Sequence, residues 1–359
     1  MGGAVVAMAL SVAACTSSSS SSSSTAPSTG TSGSSSSSSA SSASGTINAA
    51  GSTFQTNFQQ GAIAQFKSVD SGITVNYSGV GSSTGRGDLY KNTVLFAGSD
   101  SPIPSKEKSE VPAGSTVLYF PVQIGPIAIA YNLSGITGLK LDATTLANIF
   151  QGNIKTWNDP SIKALNPGVN LPSSSITLAV RSDGSGTTQN FSQYLVTAAG
   201  SAWKLGTSSI IKWPSTARAG SGGSGVASII KSTPGAIGYV DFSTATASSL
   251  TAATIKNSAG DYVAPSSAAA TAAASHVTPK SNLTFVAVDQ PGATSYPITY
   301  QSWDLVYAKQ PNATDAALLK AYLGYLLGQG QSLLSTLNLA PLPPSIDAAA
   351  KAQLSQITS

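Results

Sequence analysis

Stretches with the period of a strand alternate with stretches with the period of a helix along most of this chain, and no other feature constrains the fold as strongly. Residues 73–80, ITVNYSGV, alternate apolar and polar side chains and are rich in β-branched and aromatic residues, as a half-buried strand is. Phe54, Phe58, Ala62 and Phe66 lie four residues apart, which predicts a helix face. Alternation of this kind over about 300 residues predicts an α/β protein with mostly parallel sheets.

The same two periods predict the remaining elements. Strands are predicted at residues 176–182, 235–242 and 298–308, and helices after Asp142 and at residues 315–327. The apolar run at 117–132 is interrupted by Pro121, Gly125 and Pro126, which predicts two buried strands rather than a membrane helix. The Ala-, Ser- and Thr-rich residues 243–281 predict a peripheral excursion of the second lobe, to which we assign no function.

The first 15 residues predict an export signal. Residues 1–14 form an apolar stretch that ends in small residues and is too short to span a bilayer, as in the hydrophobic region of a signal peptide. Residues 12–15, VAAC, resemble a bacterial lipobox, in which the cysteine is lipidated and becomes the mature N-terminus, although no Lys or Arg precedes the stretch. Cys15 is the single cysteine of the chain, so no disulfide framework is possible within it.

Residues 16–45 predict a disordered tether. Nineteen of these 30 residues are Ser and none is charged or aromatic, so the segment cannot bury enough apolar surface to order itself. A flexible chain of this length spans about 30 Å root-mean-square. Together with a lipidated Cys15, the tether predicts an exported folded body held at a membrane surface.

The charge pattern argues against one class of partner. The 359-residue chain has a formal net charge of +4, but only 9% of its residues are charged, and its Lys and Arg residues are scattered. It has no run of five or six basic residues of the kind that binds nucleic acid. The sequence therefore predicts no nucleic-acid partner.

Three glycine- and hydroxyl-rich loops lie where predicted helices begin. They are AGSTF at residues 50–54, GVGSSTGRGD at 79–88 and RSDGSGTT at 181–188. A helix N-terminus offers free N–H groups and the positive end of the helix dipole, and glycine lets the backbone approach closely, so such loops favour an anion. One loop alone is explained as well by Ser or Thr capping a helix. Three loops with one arginine among them favour an anion site.

Two acids indicate which anion would fit. Arg181 can clamp two oxygens of a tetrahedral oxyanion, and Asp183 can pair with Arg181 and orient it. Asp100 follows a short apolar stretch that ends in Gly98 and Ser99. Taken alone, it would be explained as a turn or cap residue. A carboxylate that faces an anion is favourable where the anion has a proton to donate, as monohydrogen phosphate does and sulfate near neutral pH does not.

The motifs together resemble a known family. AGSTF, YSGVGSSTG, NTVLFAGSDSPI, RSDGSGTT and GAIGYVDF occur in the order and spacing seen in phosphate-binding proteins of the phosphate-specific ABC importer. Residues 149–168, IFQGNIKTWNDPSIKALNPG, are also characteristic of that family, and the resemblance covers about residues 47–342. The long Ser-rich tether and residues 243–281 depart from the family pattern.

The resemblance implies a type II periplasmic-binding-protein fold, with two α/β lobes joined by a hinge and a ligand cleft between them. Residues 46–122 would form the first part of lobe 1, residues 123–295 lobe 2, and residues 296–359 the return segment of lobe 1. The chain would cross between the lobes near residues 121–123 and 296–299.

The resemblance also implies a function. The protein would bind inorganic phosphate with high affinity outside the cytoplasm, select it over sulfate, and deliver it to the permease subunits of an ABC importer. It would be a monomer without enzymatic activity, metal or cofactor, anchored to the bacterial cell membrane through Cys15. The residues carried over as phosphate ligands are Thr53, Phe54, Ser82, Asp100, Arg181, Ser185, Gly186 and Thr187, with Asp183 holding Arg181.

Other functions stay open on the residues alone. Another tetrahedral oxyanion is the nearest alternative: Asp100 disfavours sulfate and molybdate, whereas arsenate carries a proton as phosphate does. A serine hydrolase would use Ser83 of the G-x-S-x-G pattern at residues 81–85, with His276, the one histidine of the chain, as its base. The sequence shows neither a cluster of metal ligands nor a Walker phosphate loop. A third alternative is a cell-surface protein that keeps the fold for signalling or adhesion.

Overall fold

The structure is a computed structural model that describes residues 43–359; the predicted signal sequence, Cys15 and most of the predicted tether lie outside this range. Twelve strands lie within it: β1 Gly45–Gly51, β2 Ile73–Gly79, β3 Phe96–Ser99, β4 Val117–Tyr131, β5 Lys140–Leu141, β6 Thr177–Arg181, β7 Arg218–Gly220, β8 Ala236–Asp241, β9 Thr251–Ala252, β10 Thr254–Lys256, β11 Tyr262–Val263 and β12 Thr299–Tyr307.

Eleven α-helices lie in the same range: α1 Thr56–Val69, α2 Ser82–Tyr90, α3 Ala143–Phe150, α4 Pro160–Leu165, α5 Gly186–Tyr194, α6 Gly222–Ser232, α7 Phe242–Ala247, α8 Ser267–Ala274, α9 Ala313–Leu327, α10 Leu333–Thr336 and α11 Pro344–Gln353. A 3-10 turn, Thr53–Gln55, precedes α1. None of the helices between residues 43 and 359 combines the length and the apolar character needed to cross a bilayer.

One sheet contains most of the strands, in the order β2-β1-β3-β12-β4-β8-β6-β7, with β9 also paired to β4. β1 is parallel to β2 and β3, and β6 is parallel to β7 and β8. β12 runs antiparallel to β3 and β4, and β4 runs antiparallel to β8. We call β2, β1, β3 and β12 the first half-sheet and β8, β6 and β7 the second half-sheet. The α/β class is as predicted, but the sheet is mixed and not mostly parallel, because β12 and β4 run against their neighbours in its middle.

β4 joins the two half-sheets as one continuous strand. Its residues 117–126 pair with β12, and its residues 127–131 pair with β8. The predicted division of this run into two strands is therefore wrong. Proline is tolerated here because β4 is irregular beside it: Ser302 pairs with Gln123 and Trp303 with Pro121, so Val122 falls between these pairs as an extra residue of β4, and such a bulge removes the need for the missing N–H.

The helix period predicted the buried face of α1. α1 buries Phe58, Ala62 and Phe66, as predicted. Phe54 belongs to the preceding 3-10 turn, and its ring stacks on Tyr300 with 4.1 Å between the ring centroids.

Residues 243–281 are not peripheral. Their helix α8 packs against β4 and β12 and buries Ala269, Ala270, Ala273 and Ala274. A run of Ala, Ser and Thr has little contrast in polarity, so no helical period marked this buried face in the sequence.

Candidate functional site

The predicted ligand residues lie at the carboxyl ends of strands from both half-sheets, which is where α/β sheets place their ligand sites. In the first half-sheet, Thr53 and Phe54 follow β1, Ser82 begins α2 after β2, and Asp100 follows β3. In the second, Arg181 ends β6, and the start of α5 contributes Ser185, Gly186 and Thr187. Thr53 is half-buried and the other seven residues are buried.

Arg181 connects the two half-sheets. Its Nη1 donates to Thr53 Oγ1 at 3.1 Å, its Nε donates to Asp183 Oδ1 at 2.8 Å, and its Nη2 donates to Asp183 Oδ2. The Gly222 N–H also donates to Asp183 Oδ1, at 3.0 Å. The guanidinium is thus held in one orientation, with a single nitrogen, Nη1, turned towards the first half-sheet.

Burial and pairing compete in setting the charges of this pair. Burial lowers the pKa of Arg181, but the hydrogen bonds and the charge of Asp183 outweigh it and raise the pKa overall. Burial raises the pKa of Asp183, but the hydrogen bonds and the charge of Arg181 outweigh it and lower that pKa. Both groups are therefore ionised near neutral pH.

Asp100 is 1% exposed, and both of its carboxylate oxygens have neighbours. The Ser302 hydroxyl donates to Asp100 Oδ1 at 2.6 Å, and Ser82 Oγ lies 3.5 Å from Asp100 Oδ2. Burial raises the pKa of Asp100 to about 6, although hydrogen bonds from Ser302 and Ser52 and the charge of Arg181 lower it. Above that pH the carboxylate is ionised and can only accept hydrogen bonds.

The backbone of Asp100 is held from both half-sheets. Asn190, on α5, donates through Nδ2 to the Asp100 carbonyl at 2.7 Å, and Gln301, on β12, donates through Nε2 to the same carbonyl at 3.2 Å. Gln301 Nε2 also donates to Asn190 Oδ1 at 3.0 Å.

The helix starts differ in how they are capped. Ser52 Oγ accepts from the Phe54 N–H at 3.1 Å, and Ser185 Oγ accepts from the Thr188 N–H at 3.2 Å, so these two hydroxyls do cap helices. α2 begins after Gly81, whose φ is +93°, and no side chain caps its first turn. Capping therefore explains two of the three loops but not the loop before α2.

The two half-sheets are closed against each other at this site. The Ser83 N–H donates to the Gly184 carbonyl at 3.1 Å, and Ser83 Oγ donates to Ser209 Oγ at 3.2 Å. Asn57, on α1, donates through Nδ2 to Ser243 Oγ, on α7, at 3.3 Å. Each of these bonds joins a helix or loop that follows a strand of one half-sheet to a helix or loop that follows a strand of the other.

A fourth glycine–serine loop, SGGSG at residues 221–225, was not predicted from the sequence; it leads from β7 into α6 and supplies the Gly222 N–H to Asp183. The buried Asp241, at the end of β8, lies beside this loop, because a Cβ on Gly223 would be 3.0 Å from Asp241 Oδ2. Burial raises the pKa of Asp241. The signal that marked the other three loops, glycines and hydroxyls between a strand and a helix, is present here too.

A buried ion pair next to Asp100 was also missed. Arg86, on α2, donates through Nε and Nη2 to the two carboxylate oxygens of Glu107 at 2.7 and 2.9 Å. Its Nη1 donates to Ser99 Oγ at 3.0 Å and to Ser101 Oγ at 3.3 Å, on either side of Asp100 in the chain. Burial raises the pKa of Glu107, but the hydrogen bonds and the charge of Arg86 lower it overall.

The geometry does not support a serine hydrolase. Ser83 Oγ contacts Ser209 and accepts from Arg86 Nη2 at 3.3 Å. His276 is exposed after α8 and lies beside Gly292, so it does not contact Ser83. Among residues 43–359, no group of His, Cys, Asp or Glu side chains could hold a metal ion.

This chain is similar to known proteins in sequence and in fold. The profile of the PBP superfamily domain matches residues 36–329. Phosphate-binding protein PstS 3 of Mycobacterium leprae is 37% identical over 311 residues, which cover 84% of this chain and 84% of the relative. Phosphate-binding protein PstS of Pasteurella multocida is 35% identical over 309 residues, 84% of this chain and 87% of the relative. A solved phosphate-binding protein from Stenotrophomonas maltophilia has a TM-score of 0.69 at 19% identity, over 86% of this chain and 93% of that chain. These matches confirm the predicted fold class.

Proposed function

Because this chain belongs to the family of PstS-type phosphate-binding proteins in the PBP superfamily, we propose that its closed cleft binds one inorganic phosphate ion. Like the rest of this family of binding proteins, the chain is not an enzyme. The observation that carries the proposal is the placement of Arg181 and Asp100 in one buried site, because it combines an oriented cationic donor with an ionised acceptor.

The proposed ligands are mostly donors. The Thr53 hydroxyl and N–H, the Phe54 N–H, the Ser82 hydroxyl and the Arg181 guanidinium would donate to phosphate oxygens. The N-terminal turn of α5 would add donors from Ser185, Gly186 and Thr187. What supports this set is that Arg181, at the end of β6, and the helix starts that supply the other members meet in one closed place.

Net charge does not make this site attractive to an anion. Arg181 is paired with Asp183, and the buried Asp100 and Asp241 both interact with the charge of Arg181. Recognition would therefore depend on fixed N–H and O–H donors in a site shielded from water, where each hydrogen bond is stronger than in solution.

Selectivity over sulfate would come from Asp100. Monohydrogen phosphate can donate its proton to the carboxylate, whereas sulfate would place an unprotonated oxygen against it. A site built around a required hydrogen bond rejects an analogue that lacks it by about 10⁴-fold or more. Arsenate also carries a proton, so another tetrahedral oxyanion of that kind is the alternative ligand.

The proposed transport role would use a two-part architecture. Residues 46–122 and 296–359 would form one lobe and residues 123–295 the other, with β4 and β12 as the connecting strands. Phosphate contacts from both lobes would hold the cleft closed, and the permease of an ABC importer would recognise that closed form. The protein would act as an extracytoplasmic monomer with a lipid anchor on Cys15.

Calorimetry tests the ligand. The protein is stripped of anion by unfolding and refolding, and phosphate is titrated first, then sulfate in large excess. We expect tight one-to-one binding of phosphate and no heat from sulfate. Comparable binding of both anions would remove the role of Asp100 in selectivity, and no binding of phosphate by folded protein would overturn the proposed function.

A further inference from the structure

Gln55 and Ser302 form a buried chain of hydrogen bonds that leads to Asp100 and that the proposed ligand set does not use. Both side chains are fully buried, Gln55 in the 3-10 turn after β1 and Ser302 on β12. Gln55 Nε2 lies 2.8 Å from Ser302 Oγ and 3.0 Å from the Trp303 carbonyl oxygen. Ser302 Oγ lies in turn 2.6 Å from Asp100 Oδ1.

The orientation of the Gln55 amide is fixed by its neighbours. A main-chain carbonyl can only accept, so the Gln55 atom next to the Trp303 carbonyl has to be the donating nitrogen. The other end of the amide agrees, because Gln55 Oε1 accepts from Gln59 Nε2 at 3.0 Å. The same nitrogen therefore donates to Ser302 Oγ as well.

This orientation leaves Ser302 one role. A hydroxyl has one proton, and because the Gln55 nitrogen cannot accept it, the proton goes to Asp100 Oδ1. Asp100 Oδ1 is then an acceptor. Asp100 Oδ2, which lies near Ser82 and Gly186, is the oxygen that remains for a ligand.

We propose that Gln55 and Ser302 are specificity-determining residues. Gln55 donates to Ser302 and Ser302 donates to Asp100, and these hydrogen bonds keep Asp100 an acceptor for anions that carry a proton to donate. This inference rests on the proposed function. It adds that selectivity depends on two side chains that do not touch the ligand.

The hydrogen bonds from Gln55 and Ser302 are needed because burial opposes the ionised form of Asp100. Burial favours the neutral form of Asp100, and a neutral carboxyl could donate to a fully ionised anion such as sulfate. Around this carboxyl, Arg181 favours the charged form and Asp241 disfavours it, while Ser302 and Ser52 favour it through hydrogen bonds. Loss of the hydrogen bond from the Ser302 hydroxyl would therefore shift Asp100 towards the neutral form.

The test uses Gln55→Met and Ser302→Ala in the full chain, with Gln353→Met as the matched control. Gln353, on α11, is also buried and donates to a main-chain carbonyl, that of Tyr119 at 2.8 Å, but has no contact with Asp100. Two readouts are compared with the parent. The first is the selectivity ratio, the sulfate dissociation constant divided by the phosphate dissociation constant at pH 6. The second is the titration of the Asp100 carboxyl by ¹³C NMR without ligand.

For Ser302→Ala we expect the selectivity ratio to fall at least about tenfold and the Asp100 titration to move up by about one pH unit, the effect of one lost hydrogen bond. Gln55→Met keeps the Ser302 hydroxyl but no longer fixes the direction in which it donates, so it should move both readouts in the same direction by a smaller amount. Gln353→Met should change neither. Unchanged selectivity and titration in folded Gln55→Met or Ser302→Ala protein would overturn the inference. Failure of the parent to bind phosphate would instead overturn the proposed function, and the ligand-free titration separates the two results.

Discussion

Gly186 lies so close to Asp100 that a Cβ at position 186 would be 2.4 Å from the Asp100 Cβ and 2.5 Å from its Oδ2. Gly186 begins α5 in the second half-sheet, and Asp100 follows β3 in the first. Contacts this short do not occur between real Cβ atoms and their neighbours, so the closed arrangement requires glycine at this position.

Gly186→Ala should therefore prevent full closure without unfolding either half-sheet. We expect calorimetry to show phosphate affinity reduced at least about 100-fold, the equivalent of about 2.7 kcal/mol, and small-angle scattering to show a more open shape with phosphate. Gly87→Ala on α2 is the control, because a Cβ there meets nothing within 4 Å. Normal affinity in Gly186→Ala would show that the cleft tolerates the methyl group.

Arg181→Lys should weaken phosphate binding more than Asp183→Asn does. Lysine replaces a planar fork with one ammonium and cannot satisfy Asp183 and reach Thr53 together, whereas Asp183→Asn keeps the arginine and loses only its orientation. We expect losses of about 100-fold and about tenfold, within the range for hydrogen bonds to charged groups. Arg218→Lys is the control. Arg218, on β7, donates through Nη1 to Thr233 Oγ1 at 3.1 Å and is not one of the proposed ligands. Equal losses in the two variants would contradict an orienting role for Asp183.

Asp100→Asn should lower the preference for phosphate over sulfate more than it lowers phosphate affinity. The asparagine amide brings an N–H that can donate to an unprotonated oxygen, so sulfate gains a contact where phosphate loses one. Competition titrations of the two anions measure the ratio. Asp159→Asn, which retains the cap on Ser161 at the start of α4, should leave the ratio unchanged. An unchanged ratio in Asp100→Asn would remove the selectivity role.

The sequence predicted the parts of the site that are local in the chain. The turn from β6 into α5 shows in RSDGSGTT because glycine, hydroxyl and charged residues stand together there. Ser302 could not be found in this way, since its contact with Asp100 spans 202 residues and depends on the pairing of β12 with β3. The Arg86–Glu107 pair could not be predicted for the same reason, because only the fold brings α2 to the turn that follows β3.

The sequence also predicted strands better where polarity alternates than where it does not. β2 shows the alternation of a strand with one buried face. β4 is buried along almost all of its 15 residues, so nothing in its pattern distinguishes one long strand from two short ones, and its prolines suggested a break. The bulge that accommodates Pro121, with Val122 as the extra residue of β4, shows only when β4 is paired with β12 and is not encoded locally.

Cys15→Ala should release the protein from membranes without changing phosphate affinity. The prediction rests on the lipobox-like VAAC at residues 12–15. Cell fractionation and metabolic labelling with a fatty acid measure anchoring, and calorimetry measures the affinity. Ser17→Ala, two residues after the motif, is the control. A Cys15→Ala protein that still sediments with membranes would show that the anchor is not this cysteine.

Asp304→Asn should change how stability depends on pH. Asp304, on β12, is fully buried, and burial raises its pKa to about 7, although hydrogen bonds from Gln55 and Gln59 lower it. Tyr77 and Tyr322 are the other titratable groups that interact with it. Because its pKa is raised on folding, the folded protein holds a proton that the unfolded chain releases between about pH 4 and pH 7. The parent therefore loses stability as the pH rises through this window, by about 4 kcal/mol from this group.

Asparagine does not titrate, so Asp304→Asn should lack this loss. Urea unfolding of ligand-free parent and variant at pH 4.5 and pH 8 measures the difference. We expect the variant's free energy of unfolding relative to the parent to rise by up to about 4 kcal/mol between the two pH values. Asp100 and Asp241, whose pKa values are also raised, titrate in both proteins and cancel in the comparison. A difference that stays constant with pH would mean that Asp304 is ionised in the folded protein throughout this range.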